Sequence, residues 1–141
     1  MRPDGTDAGP QALAAYLSLI AFHAAHVLEE VFGRFVALHR LGLAAFLAAN
    51  WVLFCVPLLL LYFWLAGRRW ARALSVFYAG VMVLNGFGHN VMPLATGRYF
   101  DGYAGGFSGL GLIVAGAFLI RALRPEKPGK GIRQAFDSWR K

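Results

Sequence analysis

Four long apolar stretches constrain the fold of this chain more than any other feature of its sequence. A helix that crosses about 30 Å of hydrocarbon needs about 20 mostly apolar residues. Residues 52–65 are apolar throughout and lack the alternation of a barrel strand, so the stretches are predicted to be helices. We therefore expect an all-α fold, a four-transmembrane-helix bundle over residues 1–124. Its predicted spans are residues 11–33, 41–66, 73–93 and 104–123.

Composition supports a membrane protein. The chain has 141 residues, of which 58% are hydrophobic and 15% are charged, whereas soluble domains have about 45–50% apolar and about 25% charged residues. So short a chain has too little interior to bury that much apolar surface. Cys55 is the only cysteine, which excludes a disulfide scaffold. The net charge of +7 comes from basic residues between and after the apolar stretches. The expected partner is therefore the lipid bilayer and not a nucleic acid.

The distribution of Lys and Arg predicts the orientation. The amino terminus, the link between the second and third spans and the carboxyl tail carry 11 of these residues, and the other two links carry 3. Because cytoplasmic segments are enriched in Lys and Arg, both termini are expected in the cytoplasm. The expected location is a bacterial cytoplasmic (inner) membrane, which the chain crosses several times. A cleaved signal peptide is disfavoured, because Asp4 and Asp7 follow Arg2 and ionisable residues interrupt the first apolar run.

Residues 125–141 form a basic cytoplasmic tail. Pro125 and Pro128 prevent the fourth helix from continuing. Beyond them, Ile132, Phe136 and Trp139 are spaced as on one helix face, with basic residues between them. This pattern predicts a short amphipathic helix on anionic lipid headgroups. A solvated tail is the alternative, since isolated helices this short are marginal.

Ionisable residues interrupt the first apolar stretch. Each costs about 2.5–3.5 kcal/mol at the centre of a spanning helix, so such residues persist when they are paired, protonated or functional. At about 100° per residue, the four residues of this stretch fall within about one third of the helix circumference. They therefore form one polar face, and we expect it to point into the bundle. The four residues are His23, His26, Glu29 and Glu30.

The third stretch carries a matching polar set, Asn85, His89 and Asn90. His26 lies 16 residues beyond Pro10, and His89 lies 17 residues beyond Arg72. Each histidine is therefore about 24–26 Å along an outward-running helix. The agreement in depth predicts that both sets contribute to a single site in the outer half of the membrane.

Several of these residues also have a purely structural explanation. Glu29 and Glu30 are also consistent with a helix end emerging into headgroups, with Glu30 pairing with Arg34 four residues later. His23 is consistent with a hydrogen bond that holds helices together. Asn50, near the same outer level of the second span, is expected either to pack between helices or to complete the polar pocket.

The motif His26-Val-Leu-Glu29-Glu30, on the first span of a small hydrophobic protein, resembles the signature of the HXXEE family of integral membrane proteins. Members of that family are similar to this chain in carrying an Asn and a His on a later helix, which here are Asn85 and His89. The resemblance implies a shared polar site more directly than it implies a particular reaction.

A metal centre is one function that these residues predict. His26, Glu29 or Glu30, and His89 would supply imidazole and carboxylate ligands for one divalent metal, Zn or non-haem Fe. Asn85 would orient His89 from outside the ligand set. Such a centre would act as an enzyme on a lipid or another apolar substrate. Further supporting or substrate-binding positions are Asn90, His23 and Asn50.

Three other functions stay open from the sequence. The same His and Glu residues suit metal-free acid–base catalysis of the isomerase type, with His26, Glu29, Glu30 and His89 as the catalytic groups. A proton-coupled transporter is a further alternative, although a chain with four spans and no inverted repeat would need to form a homo-oligomer. The third alternative is a structural membrane subunit whose polar residues lock helices together.

Overall fold

Five helices account for most of the computed structural model, which describes residues 9–99 and 102–124. The described residues contain no strand, which confirms the all-α prediction. α1, α3 and α4 are long and apolar enough to cross a membrane, and α5 is a shorter apolar helix of 17 residues. The helices are α1 (Pro10–Phe32), α2 (Val36–Leu41), α3 (Leu43–Leu65), α4 (Arg69–Thr96) and α5 (Gly106–Ala122).

The helix ends differ from the predicted spans at a few places. α4 begins at Arg69 and passes through Pro93 to Thr96, where we had expected residues 73–93. A proline inside a helix removes one backbone hydrogen bond without always ending the helix. The helix stops after Thr96 because the next residue is Gly97. The φ of Gly97 is 67°, which is left-handed, and its N–H donates to the carbonyl of Pro93. The link between the first two spans contains α2, and the predicted tail at residues 125–141 lies outside the described residues.

Four helices surround one core. α5 packs against α1 and α4, and α3 packs against α4 and α1. The largest fully buried core side chains include Tyr16, Leu19, Leu112 and Leu119. The Tyr16 hydroxyl donates to the carbonyl of Pro57 on α3 at 3.1 Å. This bond ties α1 to α3 at the end of the bundle opposite to His26.

The outer surface of these helices is apolar. Large side chains such as Phe77, Leu94 and Phe107 are 70%, 86% and 82% exposed. Of the 18 consecutive residues that form the most apolar part of α3, only 17% are buried inside the protein. A surface of this kind is stable against acyl chains and not against water. The fold is therefore consistent with an integral membrane protein.

Small residues bring α4 and α5 into backbone contact. A Cβ added to Gly86 would overlap the carbonyl oxygen of Gly109, and one added to Gly116 would lie 3.0 Å from the carbonyl oxygen of Ala79. The Asn90 amide crosses the same contact and donates to the carbonyl of Gly86 at 2.8 Å and to that of Gly106 at 3.1 Å. Such close approach is typical of membrane helices with small residues at their interface. It places the carboxyl-terminal end of α4 against the first turn of α5.

We predict that Gly86→Ala destabilises the protein by about 1–3 kcal/mol, because the added methyl group forces α4 away from α5. Gly80→Ala, on the same helix, is the matched control, since no atom lies within 4 Å of its added Cβ. It should be neutral or stabilise by about 0.5–1 kcal/mol. Thermal unfolding in detergent micelles measures both variants. Equal melting temperatures for Gly86→Ala and Gly80→Ala would contradict the close contact between α4 and α5.

Candidate functional site

Three buried ligand-type side chains meet between α1 and α4. His26 and Glu30 lie one turn apart on α1, and His89 faces them from α4. Glu30 Oε1 is 3.2 Å from His89 Nε2 and 3.6 Å from His26 Nε2. One ligand atom from each residue lies within 4.8 Å of the other two. The residues are 1%, 6% and 7% exposed for His26, Glu30 and His89. We call these three residues the triad.

The Nδ1 atoms of both histidines already have partners. His89 Nδ1 lies 2.8 Å from the carbonyl oxygen of Ala104, which can only accept, so this nitrogen carries the proton. His26 Nδ1 lies 3.0 Å from Ser108 Oγ. The Ser108 hydroxyl hydrogen is directed at the carboxylate of Glu29, so His26 Nδ1–H is the donor to Ser108. The Nε2 atom of each neutral imidazole is therefore left as an acceptor.

The two Nε2 atoms lie near one oxygen of a carboxylate. Both Nε2 atoms face Glu30 Oε1, and His26 Nε2 also accepts from Asn85 Nδ2 at 3.1 Å. Acceptors that face one another in a buried site are unfavourable unless a proton or a cation lies between them. Ligand atoms about 2.0–2.1 Å from a tetrahedral ion are about 3.3 Å apart, close to the two Glu30 distances. The triad can therefore hold a metal ion, or it can share a proton between Glu30 and His89.

Glu29 lies beside the triad, and its carboxylate binds the amino-terminal end of α5. It accepts from the backbone N–H of Phe107 at 3.2 Å and of Ser108 at 2.8 Å, and from the hydroxyls of Ser108 and Tyr99. These N–H groups have no partner within the helix, and a negative charge is favoured at this end of the helix dipole. The residue before α5 is Gly105, which has no side chain to cap it. Glu29 therefore caps α5 from another helix.

Tyr99 completes the contact at Glu29 from the link between α4 and α5. Burial, and after it the hydrogen bond to Glu29, raises the pKa of Tyr99 above its ordinary value. The phenol therefore stays protonated at neutral pH and remains a donor to the carboxylate.

Gly105 brings the backbone against both imidazole rings. Its φ of 128° lies in a region that other residues rarely adopt. An added Cβ would lie 2.6 Å from His89 Nδ1 and 2.7 Å from His26 Cε1. Only glycine fits here without displacing the two rings.

The other predicted site residues lie outside the triad. His23 Nδ1 is 2.9 Å from the Tyr78 hydroxyl, which matches the structural explanation for this histidine. Asn50 does not complete the polar pocket, because its amide donates to the carbonyl of Phe46 one turn earlier on α3. Asn90 joins α4 to α5 through backbone carbonyls.

Two of the predicted roles need correction. Asn85 hydrogen-bonds to His26, where we had expected it to orient His89; the backbone of Ala104 orients His89 instead. Glu30 is buried, so the alternative that it emerges into lipid headgroups is wrong for this residue. Glu29 is not in the triad and acts on His26 through Ser108.

Sequence reasoning missed Ser108, Gly105 and the carbonyl of Ala104. Ser108 offers a weak signal, since it is a single hydroxyl near the start of an otherwise apolar stretch. A backbone carbonyl carries no signal in the sequence, because every residue has one.

Comparison with known proteins finds no family model, curated protein or solved structure that matches this chain. The resemblance to the HXXEE family therefore stays a prediction that rests on the motif and on the paired Asn85 and His89.

We predict that Glu29→Ala destabilises the protein by about 0.5–2 kcal/mol, the usual cost of losing a helix cap. The backbone amides of Phe107 and Ser108 should then exchange their hydrogens faster, because both lose their acceptor. Glu29→Gln keeps one acceptor oxygen. Its stability should therefore be intermediate between that of Glu29→Ala and that of the unmodified protein. Thermal unfolding and hydrogen exchange measure these effects. Unchanged exchange at both amides in Glu29→Ala would contradict the cap.

Proposed function

We propose that this chain is an integral membrane enzyme that binds one divalent metal at the triad and acts on an apolar substrate. The observation that carries the proposal is the direction of the two imidazoles. Both Nδ1 atoms are engaged by Ser108 and Ala104, so both Nε2 atoms face the Glu30 carboxylate. A histidine that binds a metal through one ring nitrogen commonly donates the N–H of the other nitrogen to a hydrogen-bond acceptor such as a carbonyl or a carboxylate. Here the acceptors are the Ala104 carbonyl and the Ser108 hydroxyl, which in turn donates to Glu29.

The ligand set favours Zn or non-haem Fe. Two imidazoles and one carboxylate leave coordination positions open, as in catalytic sites of both metals. When bound, such a metal supplies Lewis acidity and lowers the pKa of a coordinated water. The surrounding residues contribute orientation: Ser108 and Glu29 hold the ring of His26, and Ala104 holds that of His89. A metal on His26 Nε2 would replace the Asn85 hydrogen bond and free that amide for substrate.

In the membrane, we propose that α1, α3, α4 and α5 all span the bilayer with both termini in the cytoplasm. α5, with 17 residues, is about 25 Å long. The Arg-rich link that joins α3 to α4 then lies inside, in accordance with the positive-inside rule. The triad lies near the opposite end of α1 and α4, and so in the outer half of the membrane.

Metal-free acid–base catalysis is the second candidate, and the contact between Glu30 and His89 favours it. Their 3.2 Å separation allows one proton to be shared between a carboxyl and an imidazole. A buried pair of this type can move a proton to or from a substrate near neutral pH. Catalytic activity that survives removal of bound metal by a strong chelator would favour this candidate over the first.

We predict that the purified protein binds about one equivalent of Zn²⁺ or Fe²⁺, and that Co²⁺ in the same site gives the visible absorption of a low-symmetry complex. His89→Ala and Glu30→Gln should abolish stoichiometric binding, because each removes a ligand. Ser108→Ala should weaken it by about 10–100-fold, because His26 loses the group that orients it. Elemental analysis and Co²⁺ titration measure the effects.

His39→Ala is the matched control for the metal experiment. This histidine is exposed on α2 and does not belong to the triad, so metal content should not change. Folded, unmodified protein that retains no metal after titration would contradict the metal centre. Equal binding by His89→Ala would contradict the assigned ligands.

For the topology, we predict opposite labelling of two single-cysteine variants in a Cys55→Ser background. Thr96→Cys at the end of α4 should react with a membrane-impermeant thiol reagent added outside intact cells. Ala66→Cys at the end of α3 should react only after the membrane is opened. Both parent residues are exposed, so access within the protein does not limit the reaction. The reverse pattern would place the termini outside.

A further inference from the structure

Two surface grooves flank His89 on either side of α4. We call them the α5-side groove, about 230 Å³, and the Tyr103 groove, about 240 Å³. The α5-side groove is walled by Pro93, Leu94, Tyr99, Phe107 and Leu110. The Tyr103 groove is walled by Phe35, Leu84, Asn85, Met92 and Tyr103.

The Tyr103 groove leads directly to the triad. His89 is itself a triad residue, and the amide of Asn85 reaches His26 Nε2 at 3.1 Å. The ring of Phe35 packs against that of His89, with 4.7 Å between their centroids. A molecule in this groove therefore lies against His89 and against the amide that bonds to His26, without any need for the helices to separate.

The mouth of this groove faces the surroundings of the bundle. Leu84, Gly88 and Met92 are spaced four residues apart on α4 and form one exposed stripe. Leu84 is 73% exposed and Met92 is 40% exposed. In a bilayer this stripe contacts acyl chains, so a ligand reaches the groove sideways from the lipid phase.

The polar groups of the Tyr103 groove have capacity left for a ligand. Among the residues that the structure describes, the Asn85 side-chain oxygen accepts no hydrogen bond and the Tyr103 hydroxyl has no partner. In the α5-side groove, by contrast, the hydroxyl of Tyr99 already donates to Glu29. A free acceptor and a free hydroxyl together match a ligand hydroxyl, which both donates and accepts.

The volume of the Tyr103 groove and the charge of its lining residues restrict the class of ligand that it can bind. A groove of about 240 Å³ is smaller than the sites of about 300–1,000 Å³ that enclose drug-sized ligands. It therefore suits a small polar end with a few methylene groups rather than a large headgroup. Among the described residues, the groove lining also includes no Lys or Arg that would pair with a phosphate. The remaining chain would extend along the exposed stripe of α4.

We infer that the Tyr103 groove binds the polar end of a neutral, single-chain lipid that carries a hydroxyl group. Asn85 accepts from that hydroxyl, Tyr103 donates to it, and the apolar wall of Phe35, Leu84 and Met92 holds the adjoining chain. As the substrate class of the triad, this ligand rests on the proposed function. The binding itself depends only on the groove.

The test uses a long-chain primary alcohol with a photoreactive diazirine near its hydroxyl end, added to the full protein in lipid nanodiscs. We expect cross-links on the peptides that contain Leu84 and Met92, and competition by unlabelled hexadecanol but not by hexadecane. Gly88→Leu should reduce labelling at least about tenfold by filling the groove, because no atom lies within 4 Å of a Cβ at Gly88. Asn85→Leu and Tyr103→Phe should each reduce the preference for alcohol over alkane several-fold, since each removes a hydrogen-bonding group.

Leu110→Trp is the matched control, because it fills the α5-side groove and should leave labelling unchanged. Cross-linking that Gly88→Leu does not reduce, or that hexadecane competes equally, would overturn the inference. Labelling is measured with and without added Zn²⁺, since none of the groove variants removes a triad ligand. Groove labelling in a protein that binds no metal contradicts only the metal centre. Metal binding without groove labelling contradicts only the lipid site.

Discussion

The contact between Glu29 and the amino-terminal end of α5 is the interaction on which the site depends. The first N–H groups of α5 have no partner within the helix, and Gly105 has no side chain to cap them. The carboxylate supplied by α1 satisfies two of these groups and binds the hydroxyls of Tyr99 and Ser108. One contact therefore joins α1 to α5, holds the link that leads into α5, and directs Ser108 toward His26.

The orientation of the histidines follows from that contact. Because Ser108 gives its hydrogen to Glu29, its oxygen is left to accept from His26 Nδ1. The link held by Glu29 also places the carbonyl of Ala104 at His89 Nδ1. Both rings are then fixed with Nε2 toward Glu30, so the bundle pre-organises three acceptors that a proton or a metal must neutralise. The Tyr103 groove borders the same site at His89.

The triad was accessible to sequence reasoning for a geometric reason. A spacing of four residues on one helix places His26 and Glu30 on one face. His26 lies 16 residues after the start of α1 and His89 lies 20 residues after the start of α4, so two parallel helices bring them to a similar level. The partner of Asn85 differs from the expected one, and Asn50 bonds to its own helix, because an amide can bond to its own helix or to any neighbour within reach. Periodicity indicates the face of a helix but not the partner that a side chain finds there.

The sequence by itself determined the helical fold, the membrane-compatible surface and the polar faces that meet, because hydrophobic runs and helix period are local properties of the chain. Only the tertiary structure decided which nitrogen of each histidine faces Glu30, that Glu29 caps a helix while Glu30 enters the triad, and that Gly105 must be glycine. These features depend on backbone groups of Ala104, Gly105 and Ser108, about 80 residues away along the chain from Glu29. Their positions arise from packing between helices, and no local pattern encodes that.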